Sequence, residues 1–227
     1  QSKLLLYFQP VVAYVAPQQV LHHKVLARLL DPHGEAIAAG RFLPWIERLG
    51  WLARFDLAML EHSLLHISQH PQPLALSLSA ATLREPANQA RLLALLKNHP
   101  QHANLLTLEL DERHLPPAAE LEHFSQAVRE TGYQLGLQHF GGRCSLIGNL
   151  THLGLAYLKI DGSYIRAIDQ ESDKRLFIEA IFRATNSIDL PLMAEMVETD
   201  GEMRALKELG IYAVMGRLIG APAPWNE

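Results

Sequence analysis

"LLLYFQPVVAYVAPQQVLHHKVLARLL", residues 4–30, holds two apolar runs joined by the short loop "AYVAPQQ". Parallel neighbours need a crossover of a dozen or more residues, so a loop this short allows the second run to pair with the first as an antiparallel hairpin. The second run carries Lys24 and Arg28 among Val25, Leu26, Leu29 and Leu30. Two cations on one short apolar strand are costly to bury unless an anion meets them.

Beyond residue 30 short apolar runs alternate with helical spacing. "LALSLSA" (74–80), "LLTLELD" (105–111), "YQLGLQHF" (133–140), "LAYLKID" (155–161), "LPLMAEMV" (190–197) and "IYAVMG" (211–216) read as strands. Leu43–Ile67, Ala90–Asn98, Ala118–Thr131, Lys174–Ser187 and Glu202–Leu209 repeat their apolar residues every three to four positions, which predicts helices. Gly132 and Gly210 follow two of them, where helices commonly end. About eight strands alternating with helices point to an α/β fold, a TIM-like (β/α)8 barrel whose first strand can run antiparallel. An open two-layer α/β sheet is the alternative. No Gly/Ser/Pro-rich linker divides residues 1–227, which read as a single domain.

Of the 227 residues, 48% are hydrophobic and 19% charged, as in a soluble protein with a substantial core. A net charge of −4 with no run of like charges gives no electrostatic case for a nucleic acid polymer or an anionic membrane. A compact anion needs only a few local cations. The single cysteine, Cys144, excludes an internal disulfide framework and suits a reducing compartment. No run is long and apolar enough for a membrane span. The opening enters a strand almost at once, as at the boundary of a domain excised from a longer protein.

In a barrel, functional groups gather at the C-terminal ends of the strands. Those ends carry Gln9, Lys24, Arg28, Ser77, Ser79, Glu109, Glu112, Gln138, His139, Lys159, Asp161, Glu195 and Glu198. Polar groups repeated at equivalent places on successive strands argue for a site, where a lone one would read as solvated rim. His22 and His23 are neighbours on a strand, so at most one can face any site, and both read as structural.

The order of these segments resembles the EAL family, the cyclic di-GMP phosphodiesterase domain of bacteria. "YFQPVV" stands at the family's Y-Q-P-I-V strand, "KVLAR" at E-A-L-L-R, "LSLSA" at N-L-S-A, and "LELDE" at L-E-I-T-E. "LQHFGG" stands at D-D-F-G-T-G, "LKID" is intact, "AEMVET" stands at A-E-G-V-E-T, and "VMGRLIGAPAP" at the Q-G-Y ending. Each motif alone is weak; eight in order over nearly the whole chain are specific.

Active members hydrolyse one phosphodiester bond with two Mg²⁺ or Mn²⁺ ions held by oxygen ligands. By the resemblance, several ligand positions are lost: Lys24 replaces the glutamate of E-A-L, Ser77 the asparagine, and Gln138 and His139 the two aspartates. Glu109, Lys159 and Glu195 keep their family identity. A protonated lysine cannot ligate a hard cation. At an effective dielectric of about 20, unit charges roughly 4 Å apart interact by about 4 kcal/mol, which sets the scale of repulsion from a dication. The expectation is a binding module with no catalytic residues and no metal needed for binding, His139 being a space-filling remnant.

The resemblance further implies a ligand site of Gln9, Pro10, Val12, Leu26, Arg28, Phe42, Leu43, Pro44, Ser79, Asp161 and Glu195 at the C-terminal face of the barrel. Arg28 offers a fork for a phosphate, and Asp161 and Glu195 could accept hydrogen bonds from guanine. Lys24 is read as supplying charge that the missing metals would have given. Such a pattern is similar to membrane receptors of the family that sense cyclic di-GMP with an inactive EAL domain. Their implied partners are cyclic di-GMP, a second copy of the chain, a linker helix and a degenerate GGDEF domain of the same protein, and indirectly a periplasmic protease. The implied placement is a cytoplasmic domain of an inner-membrane protein acting in biofilm and adhesion signalling. Cys144 falls in a segment that implies a dimer interface. Residual phosphodiesterase activity and a nucleotide-independent scaffold are the alternatives.

Overall fold

The computed structural model describes residues 3–15, 18–143 and 146–226, so Cys144 lies outside the described residues. Strand β1 (Leu4–Ala13) pairs antiparallel with β2 (Gln19–Leu30), from Leu4 opposite Leu29 to Ala13 opposite Gln19. A bulge at Val11/Val12 adjusts the register of this hairpin. From β2 the sheet continues in parallel through β4 (Leu74–Ser77), β5 (Leu106–Asp111), β6 (Gln134–Phe140), β7 (Leu158–Ile160), β8 (Leu192–Ala194) and β9 (Ala213–Val214). Strand β9 then meets β1 antiparallel, which closes an eight-strand barrel. The short β3 (Ala36–Ala38) only extends the far end of β2. The fold is therefore the expected TIM-like barrel with one reversed strand.

Both faces of the parallel strands are covered, so they read as near-continuous apolar runs. Leu74, Ala75, Leu76, Leu106, Leu108, Leu110, Leu135, Leu137, Leu158 and Ile160 are all buried. Helices α5 (Ala118–Glu130), α8 (Ser172–Asn186) and α9 (Asp200–Glu208) lie close to their predicted spans. Gly132 and Gly210 adopt positive φ just past α5 and α9, as expected of a C′ glycine. Thr199 and Glu202 form a reciprocal capping box at the start of α9.

Two expectations change. The helix predicted over Leu43–Ile67 is two, α1 (Ala39–Arg48) and α2 (Leu52–Gln69), because Gly50 takes φ 69° between them. The strand predicted to Ala80 stops at Ser77, and α3 (Ala80–Arg84) begins there. The cause is Asp56 on α2, which is buried. Its Oδ2 accepts from Ser79 N at 2.8 Å, Ser79 Oγ at 2.7 Å and Thr82 Oγ1 at 2.6 Å. That single oxygen serves the exit of β4 as an external helix cap. The C-terminal segment is fixed in turn: Phe8 and Ala223 exchange backbone hydrogen bonds, and Trp225 packs against Phe8, His23 and His66.

Removing the acceptor strands three donors, so Asp56→Ala should lower the unfolding free energy by about 2 kcal/mol. Asp56→Asn, which keeps an oxygen, should cost less. The urea midpoints of the three proteins, compared at unchanged slope, check this.

Candidate functional site

The parallel strands bring a charged layer to the middle of the barrel. Glu109 on β5 is fully buried and forms ion pairs with both Lys24 of β2 and Lys159 of β7. The Tyr157 hydroxyl donates to Glu109 Oε1 at 2.7 Å. Lys24 Nζ also donates to Ser77 Oγ at 2.6 Å and to Gln138 Oε1 at 2.7 Å, and Gln138 Nε2 donates to Ser77 Oγ at 2.8 Å. Burial alone would push the Glu109 carboxyl up, but the ammonium groups of Lys159 and Lys24 hold it well below the usual carboxylate range. His22 stacks on Tyr157, and its Nε2 lies 3.0 Å from Lys159 Nζ. Burial, then the Lys159 charge, pushes this imidazole down to about 3, so it stays neutral and accepts from the ammonium. His22 thus faces inward and His23 outward against Trp225, both in structural roles.

The place bounded by Glu109, Ser77 and Gln138 is filled by the Lys24 ammonium. A hard divalent cation does not fit there: its oxygen ligands are already engaged by a fixed positive charge. The expected pairing of Glu109 with lysine is observed, and with two lysines at once.

A second cluster lies beside the first. His139 Nδ1 is 2.9 Å from Glu195 Oε2 and 3.4 Å from Asp161 Oδ2, while its Nε2 is 3.9 Å from Asp111 Oδ2. Asp161 caps α7 (Gly162–Ile165) through Oδ1, which accepts from Ser163 N and Oγ. Asp111 is gripped by Arg113, with Nε and Nη2 donating to its two oxygens at 2.9 and 2.6 Å. His139 and Gln138 are adjacent on β6, where alternation would send them to opposite faces. An extra residue between Leu137 and Phe140, relative to Leu158 and Ile160 of β7, breaks that alternation. His139 takes the left-handed conformation (φ 55°), and both side chains reach the same cavity. It is no mere space-filler, since it faces three carboxylates.

That cavity, of about 400 Å³, is lined by Gln9, Lys24, Leu26, His139, Glu195 and Arg217 among others. A neighbouring one, of about 590 Å³, is lined by Leu43, Pro44, Asp56, Ser79 and Asp111 among others. Ser77 and Gln138 border both, so the Lys24–Ser77–Gln138 hydrogen bonds form the ridge between two lobes. Gln9 is held by its Nε2 donating to Gly220 O at 3.0 Å, and Pro10 stands beside Gly220. The Arg28 guanidinium lies 4.8 Å above the Tyr7 ring and donates to Ala27 O. Val12 and Phe42 are buried in the apolar core, Phe42 against Phe55. Ser79 is committed to Asp56. Sequence reasoning missed Asp111 and Arg113; the spacing of Asp111, two residues past Glu109 on one strand face, is the signal that could have found the first.

Burial works against a charged His139, yet the adjacent Glu195 carboxylate, 2.9 Å away, with the charge of Asp111, raises it above its ordinary value of 6.5. With the folded value above the unfolded one, this contribution to stability is complete below pH 6.5 and is lost as pH rises through the folded value. In excess chelator, the NMR titration midpoint of His139 should therefore lie above 6.5 and fall back in Glu195→Gln. A midpoint at or below 6.5 would contradict the assigned contacts.

Residues 1–222 match the family model for the EAL domain. The chain is 27% identical over 230 residues to the probable cyclic di-GMP phosphodiesterase PdeA of Escherichia coli, covering 99% of this chain and 31% of PdeA. It thus spans about a third of that relative. A structure of the PaMucR phosphodiesterase in complex with c-di-GMP superposes with a TM-score of 0.85 at 26% identity, covering 98% of this chain and 92% of that one. The Vibrio cholerae LapD S helix-GGDEF-EAL structure bound to c-di-GMP matches in fold, with a TM-score of 0.85 at 21% identity over 96% of this chain and 53% of that one. The barrel with its single reversed strand, the motifs in order and the family match together place this chain in the EAL domain family.

Proposed function

We propose that this domain is a receptor that binds cyclic di-GMP at the open end of the barrel without hydrolysing it. The observation that carries this reading is the Lys24 ammonium seated among Glu109, Ser77 and Gln138. A two-metal hydrolase needs a cation there that can activate water and be approached by phosphate oxygens. An ammonium can supply charge but no metal-bound water. All three Nζ donors of Lys24 are committed within the protein, so its contribution to a dianionic ligand is electrostatic. Hydrogen bonds to phosphate then fall to Arg217, which lines the cavity, with Arg28, stacked on Tyr7, as the further candidate that the motif supplies. The two-lobed cavity suits a ligand with two bases and a charged middle, whose phosphates would pass over the Lys24 ridge.

The PaMucR and LapD structures hold c-di-GMP in folds of this kind, which supports the ligand class. On the LapD likeness, the domain reports occupancy through contacts with a second copy or with a linker helix and GGDEF domain of a longer membrane-anchored chain, upstream of a periplasmic protease. The second reading is residual phosphodiesterase activity, favoured by the names of relatives such as PdeA and by the His139, Asp161 and Glu195 group.

Calorimetric titration with cyclic di-GMP in excess EDTA separates the two. Saturable binding with the nucleotide recovered intact is expected. Lys24→Met should weaken binding by about tenfold, or about 1.4 kcal/mol, with an unchanged circular dichroism spectrum, since Glu109 keeps Lys159. Breakdown to the linear dinucleotide on adding Mg²⁺ or Mn²⁺, or undiminished affinity in Lys24→Met, would overturn the reading.

A further inference from the structure

We infer that His23 and His66, with His70 beside them, form an acid-sensitive latch: neutral, they clasp Trp225 and hold the C-terminal segment against the barrel; protonated, they release it. The His66 ring lies 5.0 Å from that of Trp225, His23 and Phe8 5.2 Å and His70 5.9 Å, centroid to centroid. Phe8, His23 and His66 stand nearly perpendicular to the indole, at 76–78°. His66 is in turn 4.5 Å from Phe8 and 4.9 Å from His70. Strands β1 and β2 and the end of α2 thus converge on one side chain of the C-terminal segment.

The imidazoles are packed as aromatic surface. Among the described residues, His23 Nδ1 and His66 Nε2 are buried with no hydrogen-bond partner. A neutral ring leaves a bare acceptor there, whereas an imidazolium would bury an N–H and a charge with nothing to receive them. The surroundings do not favour the charged form. Strand β1 contributes Phe8 and the C-terminal segment Trp225, neither of which titrates. On β2 the adjacent His22 faces inward, toward Lys159. On α2, His62 lies one turn before His66, with its Nδ1 2.8 Å from Ala58 O. The connection from α2 to β4, Pro71-Gln72-Pro73, is uncharged. Burial pushes His23 below its ordinary value, and burial, then the charges of His70 and His23, does the same to His66. With the folded values below 6.5, this part of the stability is complete above pH 6.5 and is lost as pH falls through the folded values.

The latch is tied to the cavity. Beyond Gly216 the same segment supplies Arg217 and Pro222 to the wall of the 400 Å³ cavity. Gly220 O accepts from Gln9 Nε2 at 3.0 Å, and Ala223 exchanges backbone hydrogen bonds of 2.7 and 3.0 Å with Phe8. Trp225 lies two residues past Ala223 and covers that short pairing through its contact with the Phe8 ring. Once the indole leaves, the wall that bears Arg217 and steadies Gln9 loosens. Acid thereby opens the cavity from its C-terminal side, by a route separate from the Lys24 network.

The test needs no ligand, so its outcome does not depend on the receptor reading. Global stability would not isolate the latch, because His139 titrates with the opposite sign, so the readout is local. Trp45→Phe and Trp51→Phe, at residues 63% and 49% exposed, leave Trp225 as the sole indole of the three. Its emission maximum and acrylamide quenching are followed from about pH 8 to about pH 5, beside far-ultraviolet circular dichroism. Below about pH 6 the emission should shift to the red and the quenching constant rise at least about twofold, reversibly and with unchanged circular dichroism. The NMR signals of the Gln9 side-chain amide, which report its bond to Gly220, should move with the same midpoint. His23→Phe combined with His66→Phe keeps the rings, removes the protons and should hold the indole buried throughout. In the unsubstituted domain the NMR midpoints of His23 and His66 should both lie below 6.5. An emission maximum that stays fixed, a shift that survives in the double variant or coincides with loss of circular dichroism, or midpoints at or above 6.5 would overturn the latch.

Discussion

A carboxylate with no access to water stays ionised inside a barrel only if cations are built around it, and Glu109 is that carboxylate. Lys24 reaches it from β2 and Lys159 from β7, so one charge links three strands across the interior. Each ammonium is desolvated in turn, which is why Ser77, Gln138 and the neutral His22 stand within reach of the remaining donors. The position of a lysine on an apolar strand follows from this constraint. So does the division of the cavity, because the groups that satisfy Lys24 make the ridge.

A similar economy governs the rim. Alternation along a strand would let only one of Gln138 and His139 face the cavity. The extra residue in β6 presents both, one to the Lys24 network and one to Asp161 and Glu195. The cost is a left-handed backbone at His139, echoed at Met196 beside Glu195. Two strained residues flanking one cluster show where packing has been subordinated to the placement of polar groups.

Much of the barrel was legible in the sequence. The loop between residues 13 and 19 is too short for a crossover, and the remaining apolar runs are separated by helical spacing. What could not be read was decided by distant partners. Ser79 sits in an alternating run that looks like strand, and only Asp56, 23 residues away, turns it into a helix start. Gly50 breaks a helix whose periodicity continues on either side. At the site, the resemblance implied departures from the family's metal ligands at Lys24, Ser77, Gln138 and His139. That Lys24 would spend all its donors inward, and that Asp111 with Arg113 would buttress His139, depends on register and on a bulge that no local pattern announces.

The reversed first strand has a consequence for any longer chain. In an all-parallel barrel the polypeptide enters at the end opposite the functional face. Here β1 runs the other way, with Leu4 beside Leu29 and the carbonyl of Lys3 accepting from Leu30 N, at the far end of β2 where Arg28 stands. Strand β1 thereby begins on the side of the barrel where the parallel strands end, so a segment joined ahead of it would start from that side.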